Sequence, residues 1–210
     1  RRVLVVVVLF LVGTLAFSLD VAIGANAGAG HSMFLGGDYT DYIEGWGKRA
    51  FFFAYGGGVF VSLGLMEVIA IQPELLYLHI GGADKEEGVA TEYYISNYAA
   101  PVLLIKLRLG MLNLFAGPAV LFQLGTGEGK VKFEDGSELS GDFDEEALAS
   151  MLFAATAGVG FQRPLGSVNL VAEVRAFYSF SGFFNEDYEP SVWNPLSIMA
   201  MVGVSVPLPR

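Results

Sequence analysis

Glu74, Lys106, Arg108, Glu173 and Arg175 are charged residues set inside otherwise apolar stretches. Charge in apolar surroundings is costly unless it is paired or put to work, so chemistry has to be sought at these five first. Lys106 and Arg108 are two residues apart, as are Glu173 and Arg175, and Glu74 follows Gln72 by two. Asn169 shares the phase of Glu173. In a strand, residues i and i+2 share a face. Read as strands, these stretches each turn their polar groups to one side. Their opposite sides read Ile71, Leu75, Tyr77; Leu103, Ile105, Leu107; and Val168, Leu170, Ala172, Val174. A set of carboxylates and cations meeting on a common inner side could relay protons or clamp a ligand. Mutual neutralisation is the favoured reading, because unpaired buried charge is expensive.

Other reactive groupings are sparse. The chain has two histidines and no cysteine. His31 and Ser32 are adjacent, and adjacent strand residues point to opposite faces, whereas a hydrolytic pair needs both groups within hydrogen-bond reach. His79 has no serine beside it. No catalytic residue is therefore expected. Asp135, Asp142 and Asp144 are weak candidates for Ca²⁺, a hard cation that takes several oxygen ligands. Their spacing does not match an EF-hand loop, so a solvated acidic loop is the expectation and no metal site is assigned. Gly125-Thr126-Gly127-Glu128-Gly129-Lys130 has the wrong glycine-to-lysine spacing for a phosphate loop, and Val131 stands where that loop has Ser or Thr. No cofactor is implied.

The elements that must position these residues are eight apolar, glycine- and aromatic-rich segments. Strands are expected at 20–32, 51–64, 66–80, 92–108, 111–125, 150–163, 167–181 and 193–207. The gaps between them alternate short and long, the long ones being 33–50, 81–91, 126–149 and 182–192. A tilted membrane-spanning strand needs about 9–11 residues, and bacterial outer-membrane barrels join such strands by tight periplasmic turns and longer outer loops. Hydrophobic residues make up 53% of the 210-residue chain and charged residues 16%. Beyond the N-terminus this apolarity is spread over short segments, with no uninterrupted run of the ~20 residues that a helical span requires. The expected fold is all-β: an eight-stranded, up-and-down antiparallel transmembrane barrel in a single domain, 19–210. Side chains just fill the interior of a barrel of this size, so it should be plugged, not porous. Gly24, Asn26 and Gly28, with Gly117 and Ala119, would make room inside for the long charged chains.

Acid collects in the long gaps. Seventeen of the 22 acidic residues fall there: Asp38, Asp41, Glu44; Asp84, Glu86, Glu87; Glu128, Glu134, Asp135, Glu138, Asp142, Asp144, Glu145, Glu146; and Glu186, Asp187, Glu189. A short helical turn is expected around Glu145–Met151. Phe52, Phe53, Tyr55, Tyr77, Tyr93, Tyr94, Phe122, Tyr178, Phe180 and Trp193 gather toward the long-gap ends, as an interfacial aromatic girdle would. Phe161 is the clearest aromatic at the other end. The start of the chain, Arg1-Arg2, an apolar block Val3–Leu15 and then Ala16-Phe17-Ser18, has the form of a secretory signal peptide cleaved after Ser18. Net charge is −10, or −12 without Arg1 and Arg2, which argues against nucleic-acid binding.

Ile71–Tyr77, Tyr98–Lys106, Leu114–Val120 and Gly158–Phe161 with Glu173–Tyr178 together resemble the PorT-like and OmpA/OmpX-like outer-membrane β-barrel proteins. Ile71-Gln72-Pro73-Glu74-Leu75-Leu76-Tyr77 is similar to the Q-P-E-L-x-Y segment of the PorT-like proteins. Tyr98–Lys106 is similar to their Y-x-x-I-P-x-L-x-K strand, with Ala100 in place of the isoleucine. Leu114–Val120 resembles their A-G-P strand, and Gly158–Phe161 with Glu173–Tyr178 resembles their closing pair. The resemblance covers about Asp20 to Leu208 and implies residence in a bacterial outer membrane. It leaves two roles open, a surface protein and an accessory of protein secretion. The leading expectation is a non-enzymatic, monomeric barrel in outer-membrane lipid, whose acidic loops would meet a cationic protein or other surface ligand. The alternatives are secretion accessory, an enzyme acting on lipid or peptide, and a soluble ligand-carrying barrel.

Overall fold

The computed structural model describes residues 20–36, 39–40, 48–86, 88–143, 147–185 and 193–209. The signal peptide expected at 1–18 lies outside the described residues. So do Asp38, Asp41, Glu44, Glu87, Asp144, Glu145, Glu146, Glu186, Asp187 and Glu189.

Alternating apolar and small residues with Gly and Ala at close intervals build a closed antiparallel ring. Its strands are β1 (Asp20–Leu35), β3 (Phe52–Gly64), β4 (Ile69–Glu86), β5 (Ala90–Leu109), β6 (Leu112–Gln123), β9 (Met151–Leu165), β10 (Val168–Ser179) and β11 (Asn194–Pro207). Each pairs with the next in this order, and β11 returns to pair with β1, from Ala22↔Pro207 to Leu35↔Asn194. Ring closure removes the open sheet edges that would otherwise invite aggregation. Tight turns at one end include Gly110 and Gly166, whose φ values of 69° and 67° suit residues without a Cβ.

The opposite end differs from the sequence-based expectation in two places. The gap 81–91 is not a loop: β4 and β5 run on as one ladder to Glu86↔Ala90, closed by a turn around Gly88. The gap 126–149 holds a hairpin, β7 (Glu128–Phe133) and β8 (Glu138–Asp142), with β7 pairing onto the upper part of β5. A two-residue strand, β2 (Lys48–Arg49), pairs with the tip of β4. These additions make a sheet that projects beyond the ring. The expected helical turn is, over its described part, an isolated bridge from Leu148 to Phe184 and the start of β9.

Strand parity sorts the side chains. Leu75, Tyr77, Leu103, Ile105, Leu107, Leu170 and Val174 are exposed on the outside, with Ile71, Val168 and Ala172 half-buried beside them. The inside is filled. Room left by Gly24 is taken by Phe60, whose Cζ would lie 2.3 Å from a Cβ there, and room left by Gly28 is taken by Met201. The glycines of β1 thus admit apolar chains, and the close approach at Gly117 is to the backbone of Leu103, where room for charged chains was expected.

Candidate functional site

Two adjoining groups of residues occupy the lumen, and neither is contiguous in sequence. The first is built by the inward phases of β4, β5 and β10. The Arg175 guanidinium, fully buried, donates from Nη1 to Glu74 Oε2 at 2.6 Å and from Nη2 to Glu74 Oε1 at 3.3 Å. Its Nη2 also donates to Glu173 Oε2. Lys106 Nζ donates to Glu173 Oε1 at 2.8 Å, and Gln72 Nε2 donates to Glu74 Oε1 at 2.5 Å. The rings of Phe60, Phe115 and Phe177 close around the cations, with Phe115 5.3 Å from Lys106 Nζ and 5.1 Å from Arg175 Cζ. Two carboxylates face two cations, so the cluster carries no net charge. Such an arrangement is suited to joining opposite walls, since each carboxylate keeps a cation partner in a low-dielectric interior.

Arg108 is not drawn into this cluster. It lies nearer the tight-turn end and donates from Nη2 to Ser62 Oγ at 3.2 Å. There it borders a cavity of about 490 Å³, with Asp20, Asn113, Gln162 and Asn169 on its lining. Sharing the inward phase of Lys106 set its side; its depth along the barrel decided its partner.

The second group closes the other end of the lumen. Phe34, Tyr39, Tyr94, Phe143, Phe183, Phe184 and Trp193 form a continuous aromatic cap. Trp193 lies 5.0–5.5 Å from the rings of Tyr39, Phe184, Tyr94 and Phe34. Gly82 permits this packing, because a Cβ there would fall 2.4 Å from Phe34 Cδ2. Tyr39 OH donates to Asp84 Oδ1, and the Arg49 guanidinium stands 5.4 Å over the Tyr39 ring. Burial pushes the Asp84 carboxyl up to about 6; Tyr39 and Arg49 pull it down, while Glu92, its cross-strand partner, adds to the rise. This cap corrects the aromatic assignment made from sequence. Tyr94 and Trp193 face inward and are not girdle residues, whereas Phe53, Tyr55, Tyr77, Phe122 and Phe180 are exposed outside and Phe52 is buried against the His79 ring, 5.7 Å away.

The histidines lie on the outer side. His31 stacks on Phe51 at 4.8 Å with its Nδ1 3.2 Å from Phe52 O, while Ser32 is buried inside and accepts from Ser197 Oγ at 2.9 Å. His79 Nδ1 lies 2.8 Å from Asn97 Oδ1, which also accepts from Tyr77 OH at 2.6 Å, and the Tyr55 ring stacks on His79 at 4.4 Å. Among the described residues neither histidine is hydrogen-bonded to a serine.

The candidate Ca²⁺ residues are not gathered. Asp135 sits in the β7–β8 turn, where its Oδ1 accepts from Ser137 N at 2.8 Å and Ser137 Oγ at 2.6 Å. Those bonds hold its carboxyl below the usual carboxylate range. Asp142 is at the far end of β8, opposite Glu128, and Asp144 lies outside the described residues. Among the described residues, no three His, Cys, Asp or Glu side chains are placed to hold a metal ion. Lys130 and Lys132 instead share Glu138 across the hairpin, at 2.7 and 3.5 Å.

No protein-family model matches the chain, and no curated protein matches it, so the PorT-like motifs have no family model behind them. Solved structures of small outer-membrane barrels are similar to it over most of its length. The attachment invasion locus protein Ail of Yersinia pestis, in complex with the heparin analogue sucrose octasulfate, has 12% identity and a TM-score of 0.45, covering 89% of this chain and 99% of Ail. Neisserial surface protein A has 13% identity and a TM-score of 0.44, covering 91% and 99%. The outer membrane protein OprG of Pseudomonas aeruginosa has 9% identity and a TM-score of 0.37, covering 91% and 96%.

Proposed function

We propose that this chain is an integral outer-membrane protein whose role is not enzymatic: it anchors an acidic, projecting sheet and its neighbouring connections at the cell surface, for support or for binding. The observation that carries this reading is the inversion of polarity between the two faces of the wall. Charge is inside and neutralised, while the outside presents Leu75, Leu103, Ile105, Val174, Val202 and Val204 to the surroundings. Water would penalise so continuous an apolar surface, whereas hydrocarbon accepts it. A soluble ligand-carrying barrel has the reverse arrangement, with polar residues outside and a cavity within.

Heat-modifiability tests the reading directly. The chain, refolded into phospholipid vesicles, should run faster on an SDS gel unheated than boiled. A chain that stays in solution without lipid or detergent, and shows no such shift, would remove the proposal. The surface role rests on acids of the β7–β8 hairpin, Glu128, Glu134, Asp135, Glu138 and Asp142, whose field favours a cationic partner. A fluorescent oligolysine peptide should bind the vesicle-embedded protein, more weakly as salt rises. Neutralising those five residues should weaken binding; an unchanged affinity would count against the role.

A further inference from the structure

Backbone pairing around the ring is uneven. All 18 residues of β4 pair with β5, from Ile69↔Leu107 to Glu86↔Ala90. The β1–β11 and β9–β10 ladders are likewise unbroken over their described pairs. Interruptions fall in the two ladders that flank the β4–β5 hairpin. Between β3 and β4 the register passes from Phe60↔Glu74 to Leu63↔Ile71, leaving out Val61 and Ser62 on one strand and Pro73 and Gln72 on the other. Between β5 and β6 it passes from Ala99↔Phe122 to Val102↔Ala119, and again from there to Ile105↔Ala116. The first of these omissions contains Pro101 and the second Pro118.

A proline has no N–H to donate, so it removes a rung from one of its two ladders. Pro73, Pro101 and Pro118 all face outward, where hydrocarbon supplies no substitute donor. The strands nonetheless stay close: a Cβ on Gly117 would lie 1.8 Å from Leu103 O. Beside the Pro73 gap the wall is also indented. A groove of about 640 Å³ on the outer wall is lined there by Ile23, Val61, Pro73 and Leu75, and the buried Phe60 and Glu74 border it.

Two ion pairs hold the same hairpin from the inside. Glu74 of β4 is held by Arg175 of β10, and Lys106 of β5 is held by Glu173 of β10. In the ring order, β10 lies across the lumen from β4.

We infer that the β4–β5 hairpin is a hinged panel of the barrel wall, attached along two proline-weakened seams and latched across the lumen to β10 by Glu74–Arg175 and Lys106–Glu173. Opening takes place at the seams, while the β4–β5 ladder itself moves as a unit. The panel rests on the barrel fold and is independent of the surface role proposed above. Its opening would join the groove beside Pro73 to the lumen, giving apolar or amphiphilic molecules of the bilayer a lateral route to the interior.

Amide hydrogen exchange on the folded full chain in detergent micelles tests this without mutation. Peptides covering 59–65 and 116–122 should exchange about tenfold faster than peptides covering 24–32 and 197–205. Equal rates would overturn the inference. Two variants separate its parts. Pro73→Val with Pro118→Val restores two backbone N–H donors within the sheet and should slow the seams toward the β1–β11 rate. An unchanged rate would overturn the proline origin. Lys106→Met with Glu173→Gln removes one cross-lumen pair while keeping Arg175 on Glu74, and should accelerate exchange at the seams and not at β1–β11. Acceleration everywhere, or nowhere, would overturn the latch.

Discussion

Replacing Arg175 by Met tests whether the lumenal cluster is held by charge balance. The substitution keeps an unbranched chain between Phe115 and Phe177, whose ring centres lie 5.1 and 5.8 Å from the guanidinium carbon. What it removes is the cation. Glu74 would keep the amide of Gln72 at 2.5 Å but no positive partner, and Glu173 would keep Lys106 at 2.8 Å. Breaking a buried pair by removing one partner costs about 3–5 kcal/mol, because a buried carboxylate is left uncompensated. Against a total stability on the order of 5–15 kcal/mol, that loss is easily measured. The double variant Glu74→Gln, Arg175→Met restores neutrality with Lys106 and Glu173 alone, and replacing both partners of a buried pair is often nearly neutral. It should lie within about 1–2 kcal/mol of the original protein. Urea unfolding of the chain refolded in detergent micelles, followed by its tryptophan fluorescence and extrapolated linearly, gives the three free energies. If the double variant is as unstable as Arg175→Met, charge balance is not what the cluster supplies, and the reasoning fails.

Asp84 is tied to the aromatic cap, and its raised carboxyl means that the folded state holds the proton more tightly than the unfolded chain. Stability should therefore fall as pH rises from about 4 to about 6 and level off above that, by at most about 3 kcal/mol. Asp84→Asn should abolish that slope in a series of urea midpoints; a slope that survives would place its origin elsewhere. Ile105→Arg puts a cation on the most apolar part of the outer wall and should cost about 2–4 kcal/mol, while Leu112→Arg, close to the turn, should cost about 0–1 kcal/mol. Equal costs, read from unfolding in vesicles, would contradict the depth assigned to these residues. Gly30→Ala brings a Cβ to 1.9 Å from Ile198 O, so β1 and β11 must shift apart. The expected loss is about 1–3 kcal/mol, seen as a lower temperature for disappearance of the fast-migrating gel band.

Glu74, Glu173 and Arg175 illustrate what could be read from the order of residues alone. The face on which a strand residue lies is a local property, because side chains alternate with period two along any one strand. Gln72 with Glu74, Lys106 with Arg108 and Glu173 with Arg175 therefore declared a common inner side before any partner was known. The number of ring strands was legible for the same reason, since each turn is marked locally by glycine and polar residues. The β7–β8 hairpin carried a signal of its own, Asp135-Gly136 between the alternating stretches Glu128–Phe133 and Glu138–Asp142. The abundance of acid around it made it read as loop.

Other features depended on how far along the barrel each strand is displaced against its neighbours, and no single strand contains that information. Lys106 and Arg108 have the same phase, yet one meets Glu173 and the other Ser62. Tyr94 shares the inward phase of Lys106 on β5, but that it meets Trp193 is decided by the assembled mouth. The stretch 81–86 pairs as a continuous ladder with β5, whose opposite edge in turn pairs with β7. Local alternation determined which side of the wall each residue occupies. The register of the closed ring decided which residues meet, because a partner's depth is set by every strand between them.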